Sequence, residues 1–176
     1  MSNYKRIYLQ GYNYVFFTIV TNNRENILIE NIDLLRKSFK NALENFAFNI
    51  IAICVMQNHL HMILKLKNIK EYPKIIYSIK FYFSHRLNKH NKISESKLKK
   101  GEKGIWQRRY WEHTIRDEKD LYTHLDYIHY NSMKHYQILP KNWKYSTFLK
   151  FVENGWYDIN WCNLDDVNNI NDLNLE

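Results

Sequence analysis

The stretch from Ile53 to Leu66, ICVMQNHLHMILKL, most constrains what this chain can fold into. Two apolar runs flank Gln57-Asn58, and runs of this kind either side of a turn read as paired strands. Just past the hinge, His59 and His61 sit either side of Leu60. Residues two apart on a strand point to the same face, so the two imidazoles aim together while Leu60 points away. Two imidazoles side by side on a rigid strand can supply two ligands of a divalent metal. With eight histidines in 176 residues an H-x-H is also an ordinary coincidence, and most such pairs line a solvated strand face. The pair gains meaning only with a third ligand and a reactive group.

The rest of the chain organises around that hairpin. Tyr12 to Thr21 is rich in aromatic and β-branched residues and predicts a first strand. Ile32, Leu35, Phe39, Ala42 and Phe46 recur at helical spacing, so a helix follows over Ile32 to Phe46. Phe48 to Met56 and His59 to Leu66 are the strand pair. Pro73 suits a first helical turn, and Ile76, Ile79, Phe83 and Leu87 carry that helix to about Lys89. A Lys- and Ser-rich loop spans Lys89 to Gly104, and Ile105 to Arg116 predicts a fourth strand. Asp117, with Asp120 three on, has the form of an N-cap opening a helix to about Ser132. The order β-α-β-β-α-β plus one helix predicts an α+β fold of the ferredoxin-like, split βαβ kind. Its sheet is antiparallel, its helices cover one face, and a last helix follows.

Length predicts one domain, residues 1–151, with an acidic C-terminal extension over residues 152–176. Lys and Arg number 26 against 18 acids, a net charge of +8. Six of those acids lie after Val152, where there is no Lys or Arg, which leaves the first 151 residues at +14. A basic body with 16% aromatic residues suits a polyanion, with cations for phosphates and flat rings for unpaired bases. Simple solubility is the plainer alternative. No run is long and apolar enough for a membrane span, and Met1 to Gln10 is polar and basic, so the expected location is the cytoplasm. Cys54 and Cys162 form neither a disulfide framework nor a zinc spacing and are expected as reduced thiols.

The last predicted helix offers the missing parts. Leu121, Leu125 and Ile128 make its buried stripe, and Tyr127 and Asn131, four apart, lie beside it. If that helix packs on the sheet, Asn131 can give a neutral oxygen to a metal and Tyr127 can act as nucleophile. Among fourteen tyrosines, one at the edge of a core beside an asparagine is equally ordinary.

These residues carry a resemblance. MQNHLHMIL resembles the HUH signature (His, hydrophobic, His) of the single-tyrosine HUH transposases, and DYIHYNSMKH resembles their tyrosine helix. IIYSIKFYFSHRLN and IWQRRYWEHTIR are similar to the matching segments of the REP-associated tyrosine transposases, a branch often domesticated by bacteria. The likeness runs from about Tyr4 to Trp143 with the motifs in order. Two departures stand out: Gln57 replaces the proline usual before the H-U-H, and Ser132 the proline usual after Asn131.

The resemblance implies Tyr127 as nucleophile and His59, His61 and Asn131 as ligands of Mg²⁺ or Mn²⁺. Zinc or nickel would bind such a set more tightly. A phenol of pKa about 10 is ionised only about one part in a thousand at pH 7, so the tyrosine needs electrostatic help. The implied substrate is single-stranded DNA bearing a short hairpin. It would be cut and rejoined through a 5′-phosphotyrosine and a free 3′-hydroxyl. Arg108, Arg109, Arg116 and Lys134 are candidate phosphate contacts, and relatives act as monomers or homodimers.

Two rivals remain. A catalytically decayed DNA-binding protein or regulator would use the same groove without metal-dependent nicking. A zinc hydrolase would need the further Asp and His of an H-x-H-x-D-H pattern, and here Met62, Ile63 and Leu64 follow.

Overall fold

The computed structural model describes residues 13–88 and 103–162. Eight elements position the site. In chain order these are β1 (Tyr14–Val20), α1 (Ile32–Asn45), β2 (Phe48–Val55), β3 (His59–Leu66), α2 (Tyr72–Arg86), β4 (Trp111–Thr114), α3 (Glu118–Tyr136) and α4 (Phe148–Glu153). The strands form one antiparallel sheet in the order β2-β3-β1-β4, the expected split βαβ arrangement.

The two central strands explain the long apolar runs. β1 and β3 are buried on both faces, so apolar residues fill both sides instead of alternating with polar ones. Val15, Phe17, Ile19, Leu60, Met62 and Leu64 point to the face covered by α1 and α2 and build the larger core there. Phe16 and Ile63 point the other way, into a second core closed by Leu125, Tyr127 and Ile128 of α3. α1 and α2 thus share one face as expected, and the last helix takes the opposite one. Each fully buried Leu, Ile or Phe contributes roughly 1.5–3 kcal/mol of transfer free energy, so both faces hold the sheet. Among the described residues no helix is long and apolar enough to cross a membrane.

Three expectations need correction. The fourth strand was expected over Ile105 to Arg116, yet only Trp111–Thr114 pairs with β1. Trp106 makes a single bridge with Thr21, and Gly104 at φ 68° turns the chain before it, so the segment touches the sheet edge at two separate places. The last helix runs past Ser132 to Tyr136 and closes on Gln137 in the left-handed region at φ 55°. Serine in place of proline leaves the backbone N–H that helix continuation needs. Finally, the boundary between residues 151 and 152 falls inside α4, and Phe151, Tyr157, Trp161 and Cys162 pack into the second core. The loop expected over Lys89 to Gly104, up to residue 102, and the acidic end beyond Cys162 lie outside the described residues.

Candidate active site

The hairpin turn aims the two histidines. Thr21 N donates to Asn58 O at 2.8 Å, Leu28 N donates to Gln57 O at 2.9 Å, and Gln57 N donates to the Tyr136 hydroxyl at 3.2 Å. His59 and His61 then project to the α3 face with ring centroids 4.9 Å apart, and both are buried. Their neighbours set the tautomers. Asn58 Nδ2 donates to Asn26 Oδ1 at 3.1 Å, which turns Asn58 Oδ1 toward His59 Nδ1 at 2.7 Å. An amide oxygen only accepts, so His59 carries its proton on Nδ1 and its lone pair on Nε2. His61 Nδ1 lies 2.9 Å from the hydroxyl of Thr18, its partner across the β1–β3 ladder. For both rings Nε2 is the nitrogen left for a metal, held by a second layer of hydrogen bonds.

Helix α3 supplies the opposing wall. Asp117 caps its first turn, accepting from Asp120 N at 2.8 Å. Tyr127, Asn131 and His135 follow at i, i+4 and i+8 and therefore share one helix face. The Tyr127 ring lies 5.2 Å from the His61 ring and the His135 ring 4.9 Å from the His59 ring. Asn131, fully buried, lies one helical turn from each of Tyr127 and His135 on that face. Its Nδ2 donates to Tyr127 O at 2.6 Å, which leaves Oδ1 buried and without a hydrogen-bond partner. A buried carbonyl oxygen in that position costs about 1–3 kcal/mol unless something accepts its lone pairs. The donor set of two imidazole nitrogens and one amide oxygen therefore fits a divalent cation.

Lys134, on the flank of α3, reaches back so that its Nζ lies 3.4 Å from the Tyr127 hydroxyl and 5.1 Å from the ring centroid. Tyr127 itself is 1% exposed. Arg108 and Arg109 are exposed in the segment before β4. Arg116 is exposed after β4 and donates through Nε to Asp120 Oδ2 at 3.2 Å. The structure thus brings His59, His61, Asn131, Tyr127 and Lys134 together, while the three arginines lie along the β4 edge. Sequence reasoning missed Thr18, Asn58 and His135. Of these only His135 carried a signal, one helical turn beyond Asn131.

A second cluster lies at the head of α3, where His113, Asp120 and His124 present ligand-type atoms within 4.8 Å of one another. Its hydrogen bonds are internal. Asp120 accepts from His113 Nε2 at 2.8 Å and from Arg116 N at 2.9 Å, and His124 Nδ1 lies 2.8 Å from Asp120 O. Burial alone would raise the Asp120 carboxyl, but the hydrogen bonds and charge of His113 and the contacts of Arg116 bring it below the ordinary range. Burial holds the His124 imidazole below its usual value. The cluster clamps α3 to β4.

Known proteins match this arrangement. Residues 10–131 match the family model described as "Transposase IS200 like". The REP-associated tyrosine transposase of Escherichia coli is 32% identical over 92% of this chain and 92% of its own. A Haemophilus influenzae protein provisionally assigned as a REP-associated tyrosine transposase is 41% identical over 92% of this chain and 93% of its own. A solved REP-associated tyrosine transposase bound to a REP hairpin superposes with a TM-score of 0.80 at 31% identity, covering 99% of this chain and 96% of that one. On sequence and fold, this chain belongs to the IS200-like transposase family, in its REP-associated tyrosine branch.

Proposed function

We propose that this protein is a metal-dependent single-stranded DNA transposase and endonuclease that cuts and rejoins hairpin-bearing DNA through a 5′-phosphotyrosine on Tyr127. The observation that carries the reading is the single helix face on which Tyr127, Asn131 and His135 meet His61 and His59. The solved relative's REP hairpin supplies the substrate class. His59, His61 and Asn131 would hold the cation. Magnesium or manganese bound there supplies Lewis-acid polarisation of a phosphate oxygen and stabilises developing charge.

The chain's own groups do the rest. Lys134 Nζ donates toward the Tyr127 hydroxyl at 3.4 Å, placed to stabilise negative charge that develops on the attacking oxygen in the transition state. Tyr127 Oη attacks the phosphorus, the bond to the 3′ oxygen breaks, and that oxygen takes up the proton the phenol gave up. A second 3′-hydroxyl reverses the step, so ends are exchanged without external energy. Arg108, Arg109 and Arg116 are suited to hold the backbone phosphates on either side.

The test is incubation with labelled hairpin DNA and manganese, followed by a search for an adduct that survives denaturation and disappears with chelator. The 1% exposure of Tyr127 favours one second reading, a folded DNA binder that no longer cuts. Tight hairpin binding without adduct over a range of hairpins would select it.

A further inference from the structure

Helix α2 turns an aromatic row to solvent. Tyr77 and Phe81 are 66% and 46% exposed, although nothing in the fold of the sheet requires large rings there. Tyr77, Phe81 and His85 are successive at one helical turn, so their rings line up on one face. Centroids lie 5.6 Å apart at 29° for the first pair, and 3.8 Å apart at 28° for the second. Beside the row a hollow of about 330 Å³ separates α2 from the segment Lys103–Tyr110. Lys80 crosses it, donating from Nζ to Gln107 O at 2.7 Å, which ties the two walls together.

The charge lining the hollow has one sign: Lys80, Lys103 and Arg108 border it and no acid does. From Tyr72 to Asn88 and from Lys103 to Trp111 the described chain carries Lys74, Lys80, Arg86, Lys103, Arg108 and Arg109 and no acid. Exposed aromatic rings among cations suit unpaired bases and their phosphates, because every base has a π-face and every linkage a negative charge. A duplex has no use for the rings, since its bases already stack on one another.

We propose that the Tyr77–Phe81–His85 row and the adjoining hollow form a second binding site for single-stranded DNA, on the sheet face opposite His59, His61 and Tyr127. The proposal rests on the reading of single-stranded, hairpin-bearing DNA as substrate and adds where its unpaired flank docks. The flank would pass from one face to the other around the β4 edge. Arg108 and Arg109 stand there just before Trp111, which shares a register row with Thr18 and His61. The site makes a flank of defined length part of what the protein selects.

The test compares two probes in chelator, so that no cleavage occurs. One is a blunt hairpin, the other the same hairpin with a flank of roughly ten thymidines, within the reach of known single-strand sites. The double variant Tyr77→Ala/Phe81→Ala should bind the flanked probe about tenfold or more weakly, from lost stacking, and the blunt probe as the wild type does. Tyr77→Phe/Phe81→Tyr should restore the flanked affinity. The proposal is overturned if wild type gains nothing from the flank, or if the alanine variant loses both probes equally. A dimer that the alanine variant turns into monomer would give the row to a second copy and would overturn it as well. Adduct formation is not read in this assay, so failure of the Tyr127 chemistry leaves its result standing.

Discussion

Thr18→Val isolates how the proposed metal ligands are held. The substitution keeps shape and removes one hydroxyl, the atom 2.9 Å from His61 Nδ1. Thr18 is 3% exposed and His61 is fully buried, so no water replaces the lost partner. Coordination through Nε2 requires the proton on Nδ1, and Thr18→Val takes away the hydroxyl that faces it. Losing a partner of a buried polar group costs about 1–3 kcal/mol of stability. Loss of a hydrogen bond that orients a ligand costs typically about 10–100-fold in metal affinity. The assay is adduct formation with hairpin DNA over a manganese titration. Half-saturation should move up by that factor while the rate at saturating manganese stays close to wild type, and Thr18→Ser should behave as wild type. An unchanged half-saturation would refute the idea that the hydroxyl orients the ring. A fall in the saturated rate with the same half-saturation would mean that Thr18 acts on the chemistry instead.

Tyr127→Phe should abolish the adduct at a stability cost of about 1 kcal/mol, the scale of a hydrogen bond such as the long one from Lys134. Tyr122→Phe and Tyr130→Phe should keep it, which mass analysis of the digested adduct would check. Hairpin binding by Tyr127→Phe should persist and fall steeply from low to physiological salt, as counterion release demands; salt-independent binding in an anisotropy titration would sink the charge argument. His129 is buried against Phe148, Phe151 and Tyr157, and burial pushes its imidazole down to about 3. Between that value and the ordinary 6.5 the unfolded chain binds a proton the native state does not. Stability therefore falls as pH drops through this window, by up to about 1.4 kcal/mol per pH unit. Urea unfolding at neutral and mildly acid pH should show His129→Gln with a shallower pH slope than wild type.

What could be read from residues alone follows the range of the forces involved. The alternation that puts His59 and His61 on one face, and the four-residue step from Tyr127 to Asn131, are local and were legible. Burial of β1 and β3 on both faces was written in their unbroken apolar runs. The fourth strand misled because Ile105 to Arg116 has strand composition throughout. Pairing there is decided by how much of β1's edge is available, and that is Val15 to Thr18. Thr18 and Asn58 went unseen as supports because each acts across a ladder or a turn. Trp156, Tyr157 and Trp161 were hidden among acids: charge marked an acidic extension, while the rings pack around α3.

The buried oxygen of Asn131 puts function and stability at odds. Two imidazoles and an amide inside a core are poor building material, and apolar residues of similar volume would hold α3 to the sheet more firmly. On the proposed function, selection for cutting is what keeps them. In a descendant released from that selection, drift toward Leu or Met at positions 59, 61 and 131 should raise the melting temperature, while the basic surface, costing the fold little, survives. A lineage that has retired its chemistry should then be recognisable as a sturdier protein than its active cousins.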